Sequence, residues 1–201
     1  MLIRADAIVC AVRTHGETGT IVRVMTREHG LVAGYVRGGR SRRLRPVLMP
    51  ANRVVVELRA RVETQLPAMT AELVESRAGL LAEPLPAAAI EWVTVLAATA
   101  LPEAHPYPLL YDALDAMIAA IAASPAARNW AGTLMHYERG VLDALGYGAE
   151  SAAEGLFAAL AENQRRLQHD LLTGRATQVL DARERLVERL RRALLPHRAE
   201  T

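Results

Sequence analysis

The 201-residue sequence contains no lysine, one cysteine and one phenylalanine, and its aromatic content is 4%. Each scarcity excludes something. A single cysteine, Cys10, cannot close an internal disulfide or build a multi-cysteine zinc site, and it fits a reducing compartment. The longest largely apolar run, Trp92 to Leu101, is about half of the ~20 residues that a membrane-spanning helix needs. The first residues, MLIRADAIVCAVR, place an arginine inside the apolar stretch and offer no small-residue cleavage site, a poor secretion signal. A cytoplasmic protein is expected. Few aromatics also mean few stacking platforms: Tyr35 is the only one in the first 61 residues. It either stacks on a base or is a half-buried strand tyrosine.

Enzyme signatures are missing as well. There is no GxxxxGK[ST] phosphate loop, no GxSxG elbow and no HExxH pair. The histidines (His15, His29, His105, His136, His169, His197) lack ligand spacing. Gly38-Gly39 lacks the strand-to-helix context of a dinucleotide site. Neither a catalytic residue nor a cofactor or metal is expected.

Charge is what the sequence does have, and it is segregated. All basic side chains apart from histidine are arginine. Residues 1–61 carry twelve arginines against four acids (Asp6, Glu17, Glu28, Glu57), a local charge of +8. The remainder carries twelve arginines against eighteen acids, −6. A high-GC coding bias explains arginine in place of lysine but not the separation of sign, which points the N-terminal part at a polyanion.

The pattern changes near residue 80. Before it, short alternating or β-branched stretches predict strands at Ala7–Val12, Thr20–Thr26, Leu31–Val36, Arg53–Leu58 and Met69–Val74, with turns at His15–Gly19 and Arg27–Gly30. Five such strands suggest a small closed or partly open barrel. After it, prolines and polar clusters punctuate helical stretches. One starts at Pro84 and one at Pro106–Pro108. A third follows Ser124-Pro125 and ends at Gly146. A fourth runs from about Ala152 to Leu172, ended by Gly174. The last spans Thr177 to Leu195, with Leu180, Val187, Leu190 and Leu194 on one side and the pairs Asp181–Arg185 and Glu188–Arg192 on its wet side. The fold class is α+β, strands first and helices second, with domains expected at 1–78 and 79–201.

The strongest chemical feature is Arg37-Gly38-Gly39-Arg40-Ser41-Arg42-Arg43-Leu44-Arg45-Pro46, with five arginines in nine residues and no acid. Guanidinium forks on such a turn suit successive phosphates. If all five engage, the salt slope of binding is roughly −3.5 to −4.5. Arg37, Arg40, Arg42, Arg43 and Arg45 are the candidate nucleic-acid contacts, with Arg23 and Tyr35 beside them. Phosphate-driven, sequence-indifferent binding is expected.

The segment ADAIVCAVRTHGETGTIVRVMTREHGLVAGYVRGGRSRRLRPVLMPAN resembles the start of the RecO family, bacterial recombination mediators of DNA repair. Tyr137-Glu138, LDALGYG (Leu142–Gly148) and Asp181-Ala182-Arg183-Glu184-Arg185-Leu186 match further on and in order. The resemblance implies an N-terminal five-stranded OB-fold barrel and a helical C-terminal domain. It implies binding to single- and double-stranded DNA in the cytoplasm at the nucleoid, and annealing of complementary strands. It also implies partnership with RecR and with the acidic C-terminal tail of single-stranded DNA-binding protein, leading to RecA loading. One departure stands out: after Gly148 the sequence AESAAEGLFAALAENQ has no cysteine, whereas many members carry a cysteine-rich zinc element there. A site for an acidic tail that ends in an apolar residue should pair an arginine with an apolar pocket. Arg128, Arg139, Arg165 and Arg166 are the candidates, each also readable as an ordinary helix-surface arginine. A protein-interaction adaptor and an RNA-binding OB-fold factor are the other classes left open.

Overall fold

The computed structural model describes residues 2–60, 65–150, 152–172 and 177–195. Five strands come first: β1 (Leu2–His15), β2 (Gly19–Thr26), β3 (Gly30–Val36), β4 (Arg53–Arg59) and β5 (Ala68–Glu75). They close into a barrel in the order β1-β2-β3-β5-β4. Every pairing is antiparallel except β3 with β5, which meet in parallel at Tyr35 and Ala68. A five-stranded Greek-key barrel closed in this way is an OB-fold. Alternate residues fill its interior, among them Val9, Val22, Val24, Val32, Val54, Val56, Leu58 and Met69.

β1 is longer than its alternation predicts. Its first part pairs with β4 (Leu2↔Arg59 through Ile8↔Arg53) and its second with β2 (Ala7↔Thr26 through His15↔Gly19). A bulge between Val9 and Ala11 joins the two parts. Bulges bend a strand and reset its facing. Here the bulge lets Ile8 and Cys10 point away from the barrel while Val12 and Thr14 rejoin the inner-face register of Val22 and Thr20.

Five α-helices follow: α1 (Pro84–Ala100), α2 (Pro108–Ala123), α3 (Ala131–Ala144), α4 (Leu156–Arg166) and α5 (Thr177–Leu194). Pro84 and Pro108 open α1 and α2, where a missing N–H costs nothing. Gly146, at φ 84°, ends α3, and the Tyr147 amide donates to Leu142 O. α4 is shorter than the predicted 152–172 helix. Gly155 adopts φ 87° immediately before it, and the chain beyond Arg166 widens into a π-turn, Leu167–Leu171. Gly174 and His197 lie outside the described residues.

α1 is apolar on nearly every side (Ala88, Ala89, Ile90, Trp92, Val93, Leu96, Ala97) and is correspondingly buried. It packs against α2, α3 and α5, and also against the outside of β1 and β2. One core therefore contains the helices together with Ile8, Cys10, Met25, Leu31 and Ala51 of the barrel half. The expected division at residue 78 falls where a short 3-10 turn, Ala78–Ala82, links β5 to α1.

α5 departs from its predicted face. Ala182, Arg183, Leu186 and Leu190 are its buried residues, while Leu180, Val187 and Leu194 are half-buried. Arg185 bonds Glu91 of α1 at 2.8 Å rather than Asp181, whereas Glu188–Arg192 forms as predicted, at 2.9 Å. Arg183 is buried against Glu138 of α3, with Nε and Nη2 donating to the two carboxylate oxygens at 2.7 and 2.8 Å. Trp92 Nε1 and Asn163 Nδ2 donate to the same carboxylate. A buried ion pair is tolerable only with such saturation, and this one joins α1, α3, α4 and α5.

Candidate nucleic-acid interface

The basic segment between β3 and β4 is a folded turn, not an open loop. Its backbone winds through Ser41 N to Gly38 O (2.9 Å), Arg45 N to Ser41 O (2.9 Å) and Leu48 N to Leu44 O (3.0 Å). The apolar side chains Leu44, Val47 and Leu48 sit on the barrel core. Buried Asn52 fastens the return. Its amide nitrogen donates to Pro46 O and Val47 O, and its oxygen accepts from the Arg77 amide at 2.8 Å. Ala51, at φ 68°, donates its amide to Val9 O beside the β1 bulge. A non-glycine residue at positive φ persists only where its surroundings enforce it.

With the apolar residues facing in, the arginines face out. Arg37, Arg40, Arg42, Arg43 and Arg45 are all exposed. Arg40 Nη1 donates to Glu17 O at 2.8 Å, which ties the turn to the β1–β2 hairpin. Among the described residues, Arg37, Arg42, Arg43 and Arg45 have no acidic partner. Four surface guanidiniums without a carboxylate partner on one hydrogen-bonded turn can take several phosphates at once. The sequence reasoning missed Arg13. It is exposed at the same end and shares the outer-face row Arg13–Ile21–Tyr35. Counting alternation across the bulge was the signal that would have found it.

Tyr35 is half-buried. Its ring covers Gly19, where a side chain would collide with it, and stands edge-on to exposed His15 at 5.9 Å. Arg23 is elsewhere. Its guanidinium donates to Ala98 O at the end of α1 and to Glu103 on the α1–α2 connection, at the junction with the helices. Arg27 likewise forms a two-pronged bond with Asp112 of α2, both arms 3.0 Å. That guanidinium holds the Asp112 carboxyl below its ordinary range. At the same junction Gly30, at φ 68°, lies so close to His105 O that a side chain there would clash with it. Of the twelve arginines behind the +8, two thus dock the helices, five stand on the open turn, and Arg53 and Arg59 pair with Glu75 and Glu57 on the barrel itself.

In the helical half, Arg128 and Arg139 line one groove of about 530 Å³ with Ala131, Met135, Leu156 and Leu194. Arg139 Nε and Nη2 are buried there with no partner among the described residues. Arg166 is engaged by Glu162 and by the carbonyls of Ala149 and Glu150, and neither it nor exposed Arg165 lines the groove. Burial pushes the Cys10 thiol up to about 12, so it is packing rather than chemistry. Among the described residues, no three His, Cys, Asp or Glu side chains gather as a metal site, and no helix is long and apolar enough to cross a membrane.

Residues 1–77 match the family described as "Recombination protein O N terminal". Over 146 residues the chain is 42% identical to the DNA repair protein RecO of Rhodospirillum centenum, covering 72% of this chain and 57% of that protein. It is 39% identical over 155 residues to that of Phenylobacterium zucineum, covering 75% and 63%. The match to that of Caulobacter vibrioides is 38% over 156 residues, covering 76% and 63%. The chain thus spans about three fifths of the length of these relatives.

Proposed function

The chain belongs to the RecO family, and on that premise we propose that it acts in DNA repair and recombination by gripping the phosphates of single- and double-stranded DNA with its arginine-rich turn. The observation that carries this reading is the exposed, acid-free set Arg37, Arg42, Arg43 and Arg45, pre-shaped by Leu44, Leu48 and Asn52. Neutralising two strands on one surface lowers their mutual repulsion and favours annealing of complements. Base identity contributes little, because phosphates carry no sequence information. This is binding and positioning work, and it needs no catalytic residue.

The helical half would recruit protein. Residues 79–201 carry eleven arginines against fifteen acids, a net −4 that argues against a main DNA contact. The groove holding Arg128 and the unpaired nitrogens of Arg139 beside Met135 and Leu156 fits an acidic tail with an apolar last residue, as on single-stranded DNA-binding protein. RecR, and through it RecA loading, complete the proposed setting in the cytoplasm. The division of labour between residues 1–78 and 79–201 is part of the same proposal.

The test is fluorescence anisotropy of a labelled single strand at several salt concentrations, with wild type and Arg40→Ala/Arg42→Ala/Arg43→Ala. Tight wild-type binding is expected, with the slope flattened by about two units in the variant. Absence of binding at low salt would leave the adaptor reading. Equal affinity for RNA without strand annealing would favour an RNA-binding factor.

A further inference from the structure

We propose that the groove at the mouth of the barrel receives one unstacked nucleobase of a bound single strand, with Arg40 and Arg45 holding its flanking phosphates. The inference rests on the proposed DNA reading and gives it a specificity site. The groove has a volume of about 480 Å³ and lies between the far end of β1 and the basic turn. Ligand pockets are commonly of this size.

Its composition decides what fits. Val12, Leu48, Met49 and Pro50 give an apolar surface, Thr14 adds a hydroxyl, and Arg40 and Arg45 are its charged residues. No acid lines it. Val12 has inner-face register yet is 40% exposed, because the barrel is open at this end. The Thr20 hydroxyl is buried with no partner among the described residues, directly against Gly39, where any side chain would strike it. Only glycine fits there, which lets the basic turn lie directly against β2 beside the groove. Arg40 is fixed at the rim by Glu17 O, and Arg45 is exposed and unpaired among the described residues.

A bare phosphate would use the arginines and leave the apolar surface wet. An apolar peptide would use that surface and leave two guanidiniums without counter-charge. A nucleotide with its base turned in satisfies both. Bases in a duplex are stacked and paired, and each must be extruded before it can enter. The groove therefore favours single strands, whereas the outward arginines of the turn serve either form.

The experiment uses the full chain and three labelled probes: a single strand, the same strand with consecutive abasic positions, and a duplex. Thr14→Trp fills the groove from an exposed position, and duplex binding reports that the variant is folded. Wild type is expected to bind the normal strand about fivefold more tightly than the abasic one, the effect of burying part of one base. Thr14→Trp should erase that preference and leave duplex affinity unchanged. A 2-aminopurine strand should change fluorescence on wild type and not on the variant. Equal wild-type affinity for normal and abasic strands overturns the inference while the DNA reading stands. So does a variant that keeps the preference or loses single strand and duplex alike. Absence of binding to all three probes overturns both.

Discussion

The two ends of the barrel use one residue type for opposite purposes. At the end facing the helices, Arg23 and Arg27 meet Glu103 and Asp112, and beneath them Met25, Leu31 and Ile8 enter a core shared with α1. At the other end Arg37, Arg42, Arg43 and Arg45 stand on a turn and form no ion pair among the described residues. The difference teaches that a local charge of +8 is not one feature. Part of it is complementary to this chain's own acids, and only the rest is available to a polyanion.

If that division is right, substitutions at the two ends should fail differently. The largest effect belongs to the shared core. Met25→Ala should cost about 2–5 kcal/mol, read by denaturant unfolding, and leave the salt slope of DNA binding intact in the folded protein. A substitution at this site that cost under ~0.5 kcal/mol would mean that the barrel and helices do not stabilise each other here. Next comes Arg23→Gln, which removes bonds to Ala98 O and Glu103 and should cost about 0.5–1.5 kcal/mol, again without altering DNA affinity.

Cys10 reports on the same packing. With its thiol pushed up to about 12, it should resist a disulfide-exchange reagent at pH 8 in the native protein and react once unfolded. The sign for stability follows. The unfolded thiol ionises near pH 9.0 while the folded one stays protonated, so this contribution is present below pH 9.0 and lost as pH rises toward 12. Native reactivity at pH 8 would show that the junction opens. The smallest effect is expected at Arg27–Asp112. Both side chains are about half exposed to solvent, so Asp112→Asn should lower the melting temperature slightly, and less so in high salt. Because the Asp112 carboxyl is lowered from 3.8, the difference should vanish as pH falls below that value.

The sequence was legible where structure is local. Alternation located all five strands, and the prolines and Gly146 located helix ends. The arginine turn stood out because it is contiguous. What pairs at a distance was not legible. The N-terminal extension of β1 depends on β4, more than forty residues on, and the bulge at Cys10 hides the change of face. Arg23 looked like a strand arginine beside the basic turn, and its carbonyl and carboxylate partners lie 75 and 80 residues away. Arg183 falls at helical spacing on the row of Leu180, Val187 and Leu190, where an arginine needs a buried partner, and that partner, the Glu138 carboxylate on α3, is not visible from α5 alone. That the basic segment is folded was readable only from Leu44, Val47, Leu48 and Asn52, residues that the charge beside them overshadowed.

The most direct test compares both ends in one measurement: the salt slopes of single-strand binding for Arg40→Ala/Arg42→Ala/Arg43→Ala and for Arg23→Gln/Arg27→Gln. The account predicts a slope flattened by about two units for the first and unchanged within about half a unit for the second. Equal flattening in the two variants would contradict it, because the junction arginines would then be meeting phosphate as well.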